Sequence, residues 1–261
     1  MNQKNRSLIR IRSYEKSDRD SIIEICYATG YMGEDLTKHF RDRKLFALIF
    51  ALYYTDYEPK NCFVAVSNGK VVGYIIGTQN SYHQKWKFFI KMGWKILLRF
   101  VFYTSWRYPH DLTKIFQIVV SSLKKRDQTS FKVYNLEKKE NYEVKQKIDE
   151  QMKKNHQIIS SLVSFPLPDK EIIHQYPGYL HINLLEEFQS KGVGGQLLTT
   201  FENHLVSQGV KGYHLHTTNQ NYKAVPFYFK YSLRLLNTDI NSITWPKSPP
   251  SQRLVFGKKL R

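Results

Sequence analysis

Seven consecutive residues, Gln189-Ser190-Lys191-Gly192-Val193-Gly194-Gly195, have the types and spacing to hold an anion. They follow an apolar run, Tyr179-Leu180-His181-Ile182-Asn183-Leu184-Leu185. They precede a stretch in which Leu197, Leu198, Phe201 and Leu205 share one helical face. The pattern is a strand, a glycine-rich turn and a helix. The first helical turn leaves backbone N–H groups without internal acceptors and carries partial positive charge. Glycine permits positive φ and close approach of a ligand to the main chain. Together these make a cradle suited to a pyrophosphate. A P-loop is excluded, because no Lys-Ser/Thr pair follows the glycines. A dinucleotide fingerprint is excluded too: the third glycine follows the second directly, and no acidic residue stands about twenty positions on. The plain alternative is an ordinary strand-to-helix turn.

The elements that must position this turn read as follows. Leu8 to Tyr14 forms a first strand. Ser17 caps a helix whose Ile22, Ile25 and Cys26 share a face. A second helical region holds Phe40, Leu45, Phe46, Leu48, Ile49 and Leu52. Cys62–Val66 and Val71–Ile76 flank Asn68-Gly69, a strong signal for a type I′ hairpin, which needs positive φ at both central residues. After the turn and its helix, Gly212–Thr217 is a short strand, followed by a helix through Tyr228 in which Pro226 is unexpected.

Gln-x-x-Gly-x-Gly at 189–194 resembles the acetyl-CoA-binding signature of the GNAT acyltransferase superfamily. Asn221, Ala224 and Tyr228 match a second family pattern, Asn-x-x-Ala-x-x-x-Tyr, with Ser232-Leu233 where Gly-Phe is usual. The resemblance covers 7–78 and 176–236. It implies an α/β (α+β) GNAT fold: a mixed central sheet flanked by helices, with a long, largely helical insertion between strands 3 and 4. Within the superfamily, Ile25–Gly30, Gly33-Glu34-Asp35, Glu58-Pro59 and Tyr176–Leu185 resemble the acetyltransferase-like domain associated with O-GlcNAcases. That group commonly has Asp where Asn183 stands here.

By resemblance the chain is an N-acetyltransferase that moves an acetyl group from acetyl-CoA, its co-substrate, to a primary amine by direct attack through a tetrahedral intermediate. Main-chain groups of Leu184 and Leu185 would meet the pantetheine arm, which the strand reaches by splaying from its neighbour. Gln189, Ser190, Lys191, Gly192, Val193, Gly194 and Gly195 would hold the pyrophosphate, and Asn221 would contact the cofactor arm. Tyr228 would protonate the leaving thiolate; the alternative is a packed helix tyrosine. His181, on the same strand face as Asn183, has an intrinsic pKa of about 6.5 suited to deprotonating an amine through water. A buried, hydrogen-bonded histidine is the equal alternative. His181, His214 and His216 lack the fourth ligand and the spacing of a metal site, so no metal is expected.

The 261 residues are expected to form a single domain, 1–261, with 79–175 as a variable insertion. Cys26 and Cys62 lie in apolar elements and suit a reducing, cytoplasmic setting. The N-terminus lacks a signal-like apolar stretch, and no run is long enough for a membrane span. The net charge of +18 exceeds what one small anion requires. It leaves open a solubilising surface, an acidic partner, an anionic membrane or nucleic acid. The last is disfavoured, because no recognised reading motif accompanies the charge. Lys87, Lys91, Lys95 and Arg99 suggest a cationic stripe on an otherwise apolar helix. Such a helix is expected to pack on the domain with that stripe solvated, or to touch a membrane peripherally through 85–106. Residues 82–116 are expected to influence acceptor choice, Leu136–Gln157 to form a charge-dense, exposed or mobile helix, and Ser164–Asp169 a turn or linker. A catalytically inactive interaction module and a basic surface binder are the competing functions. Oligomeric state is not legible.

Overall fold

The computed structural model describes residues 9–31, 33–37, 40–107, 170–239 and 252–260. The expectations for 108–116, Leu136–Gln157 and Ser164–Asp169 lie outside the described residues. Chain order is β1 (Ile9–Ser13), α1 (Arg19–Ala28), α2 (Arg43–Phe50), α3 (Leu52–Tyr57), β2 (Cys62–Ser67), β3 (Lys70–Thr78) and α4 (Ser81–Arg99). After the gap come α5 (Lys170–Gln175), β4 (Gly178–Leu184), α6 (Val193–Ser207), β5 (Gly212–Thr218), α7 (Ala224–Lys230), β6 (Arg234–Asp239) and β7 (Arg253–Lys259).

The strands form one seven-stranded sheet in the order β1-β2-β3-β4-β5-β7-β6. Every neighbouring pair is antiparallel except β4 and β5, which are parallel and pair only at Gly178 with Tyr213 and Tyr179 with His214. Beyond Tyr179 the two strands separate. Asn68 and Gly69 take φ of 49° and 75°, the left-handed pair that the hairpin requires. Strand alternation sends neighbouring side chains to opposite faces. Tyr74 and Ile76 pack under α1–α4, while Ile75 between them packs with Leu197, Phe201 and Phe256 on the other face. β6 and β7 continue the sheet beyond the last sequence-predicted helix. Their signal is the apolar run Leu254-Val255-Phe256, buried in β7.

Local chemistry corrects several expectations. Ser17 does not cap the first helix. Asp18 anchors its entry, accepting from the Glu15 N–H at 2.9 Å and from both Arg12 guanidinium nitrogens at 2.6 and 2.8 Å. The second helical region is two helices, broken at Ala51. Pro226 is tolerated because it lies in the first turn of α7, where N–H groups have no helical acceptor to lose.

α4 is turned differently from expectation. Lysines spaced by four advance about 40° per step around a helix, so a four-residue stripe winds off one face. Lys87 and Lys91 are exposed, but Lys95 reaches the Tyr57 hydroxyl at 3.0 Å and Arg99 turns inward to Asp42 at 2.8 Å. Met92 is fully buried beneath the helix. The solvated face is therefore apolar rather than cationic.

Ser232-Leu233 performs the role of Gly-Phe at the end of α7. Ser232 sits at φ 62°, and the Leu233 N–H closes back on the Tyr228 carbonyl at 3.0 Å. A β-carbon in the left-handed region costs about 1–2 kcal/mol, less what glycine loses in unfolded-chain entropy. Ser232→Gly is expected to raise stability by about 0.5–1 kcal/mol in urea denaturation. A loss of stability would contradict this account of the turn.

Candidate functional site

The separation of β4 from β5 opens a cleft of about 830 Å³. Leu185 donates its N–H to Val72 of β3 at 3.0 Å. In an antiparallel ladder, residues whose main chain faces the partner alternate with residues facing away. His181 and Asn183 therefore bond toward β3, and the main-chain groups of Ile182 and Leu184 face the gap. Both residues line the cleft. Gln189 donates its side-chain amide to the Leu184 carbonyl at 2.9 Å, tying the turn to the end of the strand.

The turn has the geometry of an anion cradle. Ser190 and Gly192 take φ of 58° and 82°, and Gly192 is the N-cap of α6. Its carbonyl accepts the first helical bond, from Gln196, so the N–H groups of the first turn have no helical acceptor. A side chain at Gly195 would collide with the ring of Tyr231, the residue just after α7, so glycine there allows the two helices to close on each other. Gln189, Ser190, Gly192, Gly194 and Gly195 line the cleft. Lys191 is exposed with its ammonium 5.7 Å from the Phe188 ring, and Val193 is buried in the core. Neither lines the cleft. Leu185 does not either, and both of its main-chain groups bond within the protein, to Val72 and Phe188.

Tyr228, His181, Asn183 and Asn221 all line the same cleft. Tyr228 is 7% exposed, beside Phe227 and Phe256, and burial pushes its phenol pKa up. It holds its proton through the physiological range, and its hydroxyl is available as a hydrogen-bond donor. His181 lies edge-on to Tyr54 and Tyr179 on the cleft floor, where burial lowers its pKa to about 4. It is neutral at pH 7. Asn183 donates to the Thr29 hydroxyl at 2.6 Å, and Thr29 in turn donates to the Ile25 carbonyl at 2.7 Å. The Asn221 carbonyl oxygen caps α7 by accepting from the Ala224 N–H at 3.1 Å.

Sequence reasoning missed Thr29 and the gap-facing main chain of Ile182. It also missed Lys223, which pairs with Glu186 at 2.7 Å beside the turn. Both partners are well exposed, so the pair adds little stability. Thr29 lies in Ile25–Gly30, a segment noticed for resemblance, but its hydroxyl carries no sequence signal of its partner. On the far side, Phe46 and Phe50 of α2 and Tyr74 of β3 form an apolar wall. No group of three or more potential metal ligands occurs among the described residues.

Residues 112–231 match the Acetyltransferase (GNAT) family. The architecture is similar to that of SsHAT, at a TM-score of 0.60 and 24% identity, with 96% of this chain and 98% of that chain covered. It is also similar to an N-acetyltransferase from Staphylococcus aureus Mu50, at a TM-score of 0.50 and 11% identity, with 98% and 100% covered. The chain has the GNAT fold.

The family match over residues 112–231 supports acetyl transfer and acetyl-CoA as co-substrate in general terms. The residues present fit that molecule. A gap lined by outward-facing main chain suits an amide-bearing arm, because buried peptide groups need partners. The left-handed pair at Ser190 and Gly192 and the open first turn of α6 suit a pyrophosphate.

Two outcomes follow from these environments. The Thr29 proton is committed to Ile25, so its oxygen meets position 183 as an acceptor. Asn183→Asp would face that oxygen with another acceptor, costing about 1–2 kcal/mol at neutral pH. An Asn183→Asp protein as stable as the parent would contradict this reading. Burial also lowers the pKa of His214 to about 4, with its Nδ1 at 2.7 Å from the Tyr176 carbonyl. For a histidine with a lowered folded pKa, the unfolded chain binds more protons between the two values. Stability is then full above pH about 6.5 and falls toward pH 4. His214→Gln is expected to flatten that acid limb in urea midpoints, and an unchanged limb would exclude His214 as its source.

Proposed function

We propose that this protein is an acetyl-CoA-dependent N-acetyltransferase acting on a primary amine. The reading rests chiefly on one observation: the gap between β4 and β5 opens directly onto the left-handed turn, with Tyr228 facing the same cleft. Acetyl-CoA supplies an acetyl thioester open to direct attack by the amine. Ile182 and Leu184 offer main-chain groups to the arm, and Gln189, Ser190, Gly192, Gly194, Gly195 and Asn221 form the surface that holds it. Lys191 and Lys223 add positive charge near that turn.

Tyr228 is assigned as the donor that protonates the departing sulfur. His181, neutral with a pKa of about 4, is assigned to orient the amine or a water by hydrogen bonding rather than to store its proton. Asn183 cannot act as a base; it positions the cleft floor through Thr29. The similarity of Ile25–Gly30 and Tyr176–Leu185 to the acetyltransferase-like domain associated with O-GlcNAcases is part of the proposal. So is a cytoplasmic setting, which two buried free cysteines support.

The test is a transfer assay with amine acceptors, preceded by thermal shifts with acetyl-CoA, CoA and ATP. A shift specific to the CoA species is expected. Tyr228→Phe is expected to slow transfer by about 10²-fold or more while leaving the acetyl-CoA shift intact. Gly192→Glu is expected to abolish the shift by placing a carboxylate in the cradle. An unchanged rate in Tyr228→Phe removes the donor assignment. No shift with either CoA species removes the function.

A further inference from the structure

Among the described residues, the outward face of α4 departs from an ordinary protein surface. Trp86, Ile90, Trp94 and Leu97 stand on one side of the helix and are 61, 69, 56 and 59% exposed. Phe102, in the π-helical segment Phe100–Thr104 that continues α4, is 76% exposed, and Trp106 just beyond it is 83% exposed. A surface helix normally presents its polar side outward. Here Met92 and Arg99 point into the domain and the bulky apolar residues point away. Isolated exposed apolar residues are common, but a contiguous face of this size on a monomer marks an interaction site.

The charge around the face indicates its partner. From Ser81 to Arg107 the chain has six lysines and arginines and no aspartate or glutamate. Lys87 and Lys91 are exposed on the flank of the apolar face. The whole chain carries +18. A second copy docked face to face would bring these cations against their own counterparts, which disfavours self-association. An anionic bilayer offers what the face lacks on both counts: an apolar interior for the side chains and negative headgroups for the flanking lysines. Indoles settle well at that boundary, because the ring is apolar and its N–H is wet. No described helix is long and apolar enough to cross a membrane, so the geometry is one of lying on the surface.

We propose that α4 and the π-helical turn that follows it form an interfacial docking surface for an anionic lipid bilayer. The inference does not depend on the acetyltransferase reading. It is tested by co-sedimentation of the full chain with vesicles containing phosphatidylglycerol, against vesicles of phosphatidylcholine alone, with indole emission recorded in parallel. The chain is expected to bind the anionic vesicles with a blue shift, and the neutral ones weakly. Ile90→Glu/Leu97→Glu is expected to weaken partitioning about tenfold or more, since two apolar side chains no longer enter the bilayer. Lys87→Glu/Lys91→Glu is expected to weaken it and to reduce its salt dependence. All four positions are exposed or flanking, so unfolding midpoints report whether each variant is folded. Equal partitioning of the parent and the Ile90→Glu/Leu97→Glu protein would overturn the proposal. So would absence of binding. In that case, a parent dimer that Ile90→Glu dissociates would assign the face to a second copy. A monomer would assign it to cover by another part of this chain.

Discussion

Everything at the candidate site depends on one interruption of the sheet. β4 and β5 pair over two residues and then part, although both continue as strands with other neighbours. Buried main-chain groups that face no partner cost roughly 1–3 kcal/mol each. A sheet therefore opens only where other bonds offset the loss. Here the neighbours carry it: β4 is held by β3 from Tyr179 to Leu184, and β5 by β7 along its whole length. The gap thus keeps rigid walls. Gln189 pins the end of the opened strand to the turn, so the gap and the cradle are fixed relative to each other before any ligand arrives.

The electrostatic character of the cleft follows from burial more than from charge. Tyr228 is held protonated and His181 neutral, both with desolvation as the main cause. A floor made of uncharged donors and aromatic edges suits an acceptor that arrives as a neutral amine. Of the positive groups, Lys191 stands outside at the turn, and Lys223 lines the cleft beside it.

The fold was legible where a residue's own chemistry dictates its conformation. Asn68-Gly69 declared its hairpin, and the glycines at 192–195 declared the turn, because both need backbone freedom that few residues have. Periodicity placed α6 and the strands of the half-buried sheet. What failed had a different cause. The Asp18 anchor needs Arg12 from the preceding strand, and the inward course of Arg99 needs Asp42 from another helix. Periodicity shows that α4 has two faces; it does not say which one meets the domain. At the site, Gln189, the three glycines, Asn221 and Tyr228 line one cleft, whereas Thr29 at the end of α1 and the Ile182 main chain emerge only from the tertiary arrangement. The lysine in the turn and Val193 belong to the motif by position, yet their side chains point elsewhere.

Asp42 serves two helices at once. Its carboxylate accepts the Leu45 N–H at the start of α2 and holds the Arg99 guanidinium of α4, while its side chain is almost wholly enclosed. α2 supplies Phe46 and Phe50 to the acceptor wall of the cleft. The outer helix and that wall are thus tied together at a shared carboxylate as well as through the core. A load that tilts or draws on α4 arrives first at the origin of α2, with no flexible joint between them to absorb it. The acceptor wall is mechanically in series with the exposed helix.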